Sequence, residues 1–451
     1  MSRGRRWTRV VLVLALAAAA IRLGVQAARF GRESVQADFS AFYTAGQAAR
    51  AGLSPYWTAP DRDPPLWDGV SLYETSRFLY PPLAASLFAP LTLLGYTAAK
   101  HLWMALTLAA VAGALVVLAR ALGARPSPEV VLALAAFAGL FHPLLLHLER
   151  GQVDALTLLV IALALRPMVA DGRDAVGSGV LLALGSVLKP NVAWLLPFLV
   201  LRRRWRALAG FAIGAAGLAL AAVALHGTDG VGAYVTRELP RIAVEGEAHG
   251  DQRRLDPAVL ARLRGGAPEG MTARDGRLYR VESFRFVTNA SLTRPLKRGL
   301  GLRLSPRRLS LLVLSALVGI VALWQLGHGR LLASPSPLRE LAYWQAALAA
   351  VLLAWPVTWA MNAVWLLPTA LVVAYAWPFA RTFGARAALA GCVCGLLLAG
   401  APDGMVEVAL GPWTRFKYVI GEMLVFVSLL GGSARLSDRT MADGRRGDNE
   451  P

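Results

Sequence analysis

Six stretches of this chain run close to membrane-spanning length with few or no charges: Val10–Ala28, Leu102–Ala119, Val130–Leu146, Ala207–Leu225, Leu309–Leu326 and Phe416–Leu430. A helix needs about 20 apolar residues to cross the hydrocarbon core of a bilayer. One soluble core of this length has no room for so much apolar sequence. Hydrophobic residues make up 56% of the chain and charged residues only 17%, against about 25% charged in a soluble domain. The expected fold class is an all-α polytopic membrane protein.

The first run follows Arg3, Arg5, Arg6 and Arg9. A secretory signal begins this way, but no small-residue cleavage site follows cleanly and more spans come later. It reads as the first anchor. The net charge is +19, with arginine supplying 43 of the 47 basic residues. In a soluble protein that balance suggests nucleic acid. Here the arginines sit in short loops, where they hold the cytoplasmic face and meet anionic lipid. The partners expected are therefore membrane lipids and not nucleic acid.

Arg202–Arg206 is the clearest such loop, joined by 120–125, 166–174, 327–339 and 381–386. These anchors put both termini inside and three loops outside: Phe30–Pro81, Gly227–Ser305 and Ala401–Lys417. The second carries many arginines of its own, but the charge rule weakens beyond about 60 residues. Residues 1–432 read as one transmembrane domain, and 433–451 as a disordered polar tail.

Ala175–Leu201 looks like a single long span, yet Lys189-Pro190 sits in its middle. Proline breaks a helix and pushes the residue before it out of the α region. Two short spans follow, Val176–Leu188 going out and Val192–Leu201 returning. Pro82–Leu94 is apolar but short, and reads as an interfacial helix. With the two short spans counted, though they fall below the usual spanning length, the total is about 12. Cys392 and Cys394 are too few for a disulfide framework or a zinc site and read as small apolar fillers. No cofactor is firmly implied, and a divalent metal has no support in the sequence.

Charges in a membrane protein each need an explanation. Asp38, Arg77, Glu149, Arg150, Asp154 and Lys189 all fall within a few residues of an outer span end. Solvated loop polarity suits Asp61, Asp63 and Asp68, but fits Lys189 poorly. Two roles fit Asp38, which lies among Phe39, Phe42 and Tyr43: a general base, or the N-cap of the apolar run that ends near Gly52. Pro81 and Pro82 open the interfacial helix. Tyr80 belongs either to an aromatic belt or to a site beside Arg77. His147-Leu148-Glu149-Arg150-Gly151-Gln152-Val153-Asp154 holds more titratable groups than a tight turn needs. Lys189 offers a point charge suited to phosphate, or it snorkels to the outer headgroups.

Together these pieces resemble a known family. Asp38–Tyr56, reading DFSAFYTAGQAARAGLSPY, is similar to the first outer loop of the family 87 glycosyltransferases, also called DUF2029. Tyr80-Pro81-Pro82-Leu83 with Ala89-Pro90-Leu91, Gly151-Gln152-Val153-Asp154, Lys189-Pro190 with Arg202–Arg206, and Asn289-Ala290-Ser291-Leu292 resemble its later blocks in order. The resemblance covers roughly residues 9–371. It implies a GT-C-like bundle and an inverting transferase that uses a polyprenyl-phosphate hexose, commonly mannose, on the outer face. The acceptor would be a glycolipid or a glycan. Asp38 then corresponds to the family's acidic residue, which orients or deprotonates the acceptor hydroxyl. Lys189, with Arg77 and Arg150 behind it, would meet the donor phosphate, where a cation stabilises the developing charge. Tyr43, Tyr80, Glu149, Gln152, Asp154, Asn289, Trp359 and Asn362 would line the substrates.

The chain departs from the family in one place. Many relatives carry a Trp-Asp-His-His-like block at the outer start of a late span, whereas Pro356-Val357-Thr358-Trp359-Ala360-Met361-Asn362 lacks the acid and both histidines. Two other readings stand beside the transferase: a transporter or flippase for lipid-linked sugars, and a divergent, non-catalytic member. Paired inverted repeats with broken helices would favour the transporter. One broken pair, around Lys189, is evident, and no partner to it appears in the second half.

Overall fold

The computed structural model describes residues 3–32, 36–58, 78–123, 126–240, 242, 271–274, 277–280, 289–328, 336–410 and 416–433. Arg77, Asp61, Asp63, Asp68 and the tail from 434 lie outside them. Among the described residues the chain is helical apart from one hairpin, β1 (Met271–Arg274) antiparallel to β2 (Arg277–Arg280). Six described helical stretches are long and apolar enough to cross a bilayer: Arg6–Arg32, Tyr96–Ala121, Trp205–Glu238, Pro306–Gly327, Ala360–Phe379 and Phe383–Gly400. A seventh span is counted if the bent pair Pro128–Leu140 and His142–Arg150 is one crossing. The chain is an all-α polytopic membrane protein. The remaining apolar helices of the dozen or so expected spans are shorter or more polar.

The first half comprises α1 (Arg3–Arg32), α2 (Ala37–Arg50), α3 (Pro82–Phe88), α4 (Tyr96–Ala121), α5 (Pro128–Leu140), α6 (His142–Arg150), α7 (Asp154–Asp171), α8 (Val176–Leu188), α9 (Leu196–Leu201) and α10 (Trp205–Ala233). After the hairpin come α11 (Thr293–Gly299), α12 (Pro306–Gly327), α13 (Pro337–Ala354), α14 (Thr369–Ala376), α15 (Phe383–Gly400), α16 (Asp403–Leu410) and α17 (Lys417–Ser433). Helix α13 is buried along nearly its whole length and forms the spine of the core. The expected interfacial helix Pro82–Leu94 proves to be α3 followed by a 3-10 turn, Ala89–Leu93, where Pro90 removes a helical N–H. The loop expected from Gly227 starts later, because α10 runs on past a kink at Gly227 into a π turn, Tyr234–Glu238.

Two breaks shape the site. The first separates α5 from α6 by 53°. Pro143 lacks the N–H an unbroken helix would need, and Phe141 is extended at φ −67°, ψ 110°. The second is at Lys189, extended at φ −150°, ψ 109°, as a residue before proline favours. Beyond it Pro190–Leu195 forms a 3-10 turn that leads into α9. The chain then comes back to where α8 began. The Arg204 guanidinium donates to the Gly172 carbonyl. The backbone N–H groups of Arg206 and Ala207 donate to the Asp174 carboxylate at 2.7 and 2.8 Å. Lys189 therefore stands at the tip of a returning pair.

Helix α10 lies along α8 at very short range. A Cβ on Gly179 would fall 1.8 Å from the Ala207 carbonyl oxygen, and one on Gly210 would fall 2.0 Å from that of Val176. In a bilayer, where the hydrophobic effect does not drive helices together, small residues give association through close backbone packing. Gly395 and Gly421 serve α15 and α17 in the same way.

The arginine loop differs from a row of solvated anchors. Arg202 and Arg204 both donate to the buried Glu340 of α13, Arg204 at 2.7 Å, and Trp344 Nε1 joins them at 3.1 Å. The returning pair is thus pinned to the core. Of the two cysteines, Cys392 is buried, whereas Cys394 is exposed on α15.

Candidate functional site

Asp38 lies in the first turn of α2, and Gln36 occupies the N-cap position without a side-chain cap bond. The capping role considered for Asp38 is therefore wrong. Its carboxylate is buried and held from α6 and the turn beyond it. Arg150 Nε donates to Oδ2 at 2.7 Å and Nη2 to Oδ1 at 2.9 Å. Gln152 Nε2 adds a bond to Oδ2 at 2.8 Å. The Tyr80 hydroxyl donates to Gln152 Oε1 at 3.1 Å. Burial, then the negative charges of Asp154 and Asp38, push the Tyr80 phenol well above its usual range, so it stays a donor.

Gly151 makes this approach possible. It ends α6 in the left-handed region at φ 71°, a conformation that glycine adopts without a Cβ penalty. A Cβ there would sit 2.5 Å from Phe39 Cβ. Trp103 Nε1 fixes its carbonyl at 2.9 Å, and Gln36 Nε2 fixes that of Leu148 at 2.6 Å. Helices α2 and α6 are thereby locked at the residues flanking Asp38 and Arg150.

A second ion pair lies close by. Lys189 Nζ bonds Asp154 Oδ2 at 2.6 Å, both groups buried. Asp154 Oδ1 has no hydrogen-bond partner among the described residues. Trp365 Nε1 donates to the Asp154 backbone carbonyl at 3.1 Å, which brings the 3-10 turn Ala360–Leu366 against this pair. Asn362 Oδ1 accepts the Trp359 N–H at 2.7 Å, whereas its Nδ2 is buried without a partner among the described residues. The turn that overlaps the stretch lacking the acid and the two histidines is therefore held to the backbone of Asp154.

Other expected site residues lie elsewhere or serve the frame. The Tyr43 hydroxyl donates to the Leu94 carbonyl at 2.8 Å and its ring packs on Phe39 and Tyr96. Glu149 is buried and lines a cavity that Asp38 does not line. Asn289 fastens two segments: its Oδ1 accepts N–H groups of Thr358 at 2.9 Å and Ser291 at 3.1 Å, and its Nδ2 donates to Pro356. Asn289 also forms a β-bridge with Trp359. Arg77 lies outside the described residues. Sequence reasoning passed over Gln36, Trp103 and Trp365, whose partners are backbone groups far along the chain and leave no local pattern.

Residues 78–280 match the family model for glycosyltransferase family 87. That stretch, under half of the chain, is similar to the family. That match supports the resemblance read from the sequence, and a membrane glycosyltransferase is the class it implies. No curated protein matches the chain. Tyr80, Arg150, Gln152, Asp154 and Lys189 all fall within the family 87 match, and Asp38 precedes it. Among the described residues, no group of three or more His, Cys, Asp or Glu side chains is placed to hold a metal ion.

Proposed function

We propose that the chain transfers a hexose, mannose in the first instance, from a polyprenyl-phosphate donor to a glycolipid or glycan acceptor, with inversion. The reaction takes place at the extracytoplasmic face of the cell membrane. The observation that carries this reading is the clasp on Asp38 by Arg150 and Gln152, beside Tyr80 and the Asp154–Lys189 pair. An arginine fork fixes the plane of a carboxylate as a single cation does not. A carboxylate so oriented accepts the acceptor hydroxyl's proton as that oxygen attacks the anomeric carbon. The bond from the anomeric carbon to the phosphate oxygen breaks, and its electron pair leaves with the polyprenyl phosphate.

Lys189 is the cation we assign to that phosphate, and Arg77 is a further candidate on the sequence alone. Arg150 reaches the phosphate only if it loosens from Asp38, since two of its nitrogens are engaged there. Asp154 holds Lys189 ready, and the lone oxygen Oδ1 leaves that carboxylate able to accept a sugar hydroxyl. The test is to incubate membranes holding the protein with labelled polyprenyl-phosphate mannose. Label should pass to an acceptor with the native chain and not with Asp38→Asn at equal expression. Transfer at the native rate by Asp38→Asn overturns the assignment.

A further inference from the structure

A separate cavity of about 330 Å³ lies between α1, α6 and α16. None of Asp38, Arg150, Gln152, Asp154 or Lys189 lines it. Helix α1 contributes Arg22 and Gln26, α6 contributes His142 and Glu149, and α16 contributes Asp403 and Glu407. On α6 the lining positions His142, Leu145, Leu146 and Glu149 share one helical face. The neighbouring face carries Arg150 to Asp38. Its size falls at the small end of ligand pockets, which run from about 300 to 1,000 Å³.

Two atoms in this lining point to a ligand. Asp403 is 9% exposed. Its Oδ1 is taken by Lys417 at 2.8 Å and Tyr418 at 3.0 Å, but Oδ2 is buried with no hydrogen-bond partner among the described residues. His142 Nδ1 is buried and lacks a partner in the same sense. A buried polar atom left unpaired is costly, and α6 and α16 each hold one at this cavity, so its walls are short of hydrogen bonds that an occupant would supply.

The chemistry of the walls narrows that occupant. Three carboxylates disfavour a simple anion such as phosphate, and the arginines disfavour a bare cation. Hydroxyl groups both donate and accept. They would donate to Asp403, Glu149 and Glu407 and accept from Arg22 and Gln26. Leu145 and Leu146 offer an apolar floor for a ring's C–H face. We propose that this cavity binds one polyhydroxylated ring, a sugar or an inositol, at a site separate from the Asp38 centre. The ring belongs either to a membrane lipid headgroup or to a free glycan end. The site does not depend on the transfer chemistry proposed above.

The test uses the full chain in phosphatidylcholine nanodiscs, with binding read by native mass spectrometry. The probes are methyl α-mannopyranoside for a free ring, dioctanoyl phosphatidylinositol for a lipid-borne ring, and inorganic phosphate for an anion. Gly404 lines the cavity, and a Cβ built there meets nothing within 4 Å, so Gly404→Leu adds bulk at the cavity wall from a position with room for it. A ring probe should bind the native chain and Asp38→Asn alike, and bind Gly404→Leu at least tenfold more weakly. Should Gly404→Leu not fold, His142→Ala is read in the same way. Binding of the mannoside alone names a free glycan, and binding of the inositol lipid alone names a headgroup. Binding of neither ring, stronger binding of phosphate, or equal binding by the filled variant overturns the proposal. Loss of transfer by Asp38→Asn with ring binding intact separates this site from the transferase reading.

Discussion

Arg150 grips Asp38 through two nitrogens, at 2.7 and 2.9 Å, from a position 112 residues away in sequence. Both groups are buried, and removing one partner of a buried ion pair costs roughly 3–5 kcal/mol. Arg150→Ala should therefore lower the melting temperature of the purified protein and abolish transfer. Arg150→Lys keeps the charge and loses the fork, so its transfer should fall tenfold or more with a smaller loss of stability. If Arg150→Lys transfers at the native rate, the orientation of Asp38 by the fork is not needed.

Lys189 and Asp154 offer a cleaner separation of structure from chemistry. Lys189→Met strands the Asp154 carboxylate, so stability falls, and Asp154→Asn in the same chain should restore much of it. A phosphate role predicts that the double variant, though refolded, still shows a donor KM raised at least tenfold over that of Asp154→Asn alone. Recovery of stability together with a native KM would leave Lys189 as a purely structural partner.

The sequence showed the breaks better than the pairings. Proline chemistry at Lys189-Pro190 was enough to foretell a returning pair, because the rule is local. That Lys189 would meet Asp154 depends on two turns and the packing of α7 on α8, which no local pattern encodes. The island from His147 to Asp154 was legible as unusual, yet its residues divide three ways: Arg150 to Asp38, Asp154 to Lys189, and Glu149 to the cavity between α1, α6 and α16. Residues on adjacent helical positions point about 100° apart, so a cluster in sequence splits across different sites in space. Arg202 and Arg204 read only as cytoplasmic-face anchors because their acid, Glu340, lies more than 130 residues away.

Tyr80 provides a pH signature. Burial raises its phenol above the usual value of 10, so above that pH the unfolded chain gives up this proton before the folded one does. The folded state then binds more protons, and stability falls as pH rises past about 10. Tyr80→Phe removes this contribution. The gap in stability between the native chain and Tyr80→Phe should shift in favour of the variant between pH 9 and about 11, as read by thermal melting. A gap that stays constant over that range argues against a buried, neutral Tyr80.

Glu340 tests the opposite end of the molecule. It receives Arg202, Arg204 and Trp344 on a carboxylate that is 1% exposed. Glu340→Gln leaves two guanidinium groups short of their counter-charge, a loss of several kcal/mol by the cost of breaking buried pairs. The melting temperature should drop clearly. The donor KM of the folded fraction should not change, because Glu340 bonds no residue of the Asp38 centre.

Gly151 couples the frame to the Asp38 carboxylate, and two substitutions resolve how. Its φ of 71° costs an L-residue roughly 1–2 kcal/mol, and any Cβ would also press on Phe39 Cβ from 2.5 Å. Phe39 is the residue after Asp38, so a displaced α2 moves the carboxylate away from Arg150 and Gln152. Gly151→Ala carries both penalties. Gly151→Asn relieves most of the backbone cost, since asparagine tolerates the left-handed region, and keeps the contact with Phe39. If the contact dominates, both variants should lose stability and transfer to a similar degree. If backbone strain dominates, Gly151→Asn should melt and transfer nearer to the native chain. Native transfer by Gly151→Ala would show that α2 is not held by this contact at all.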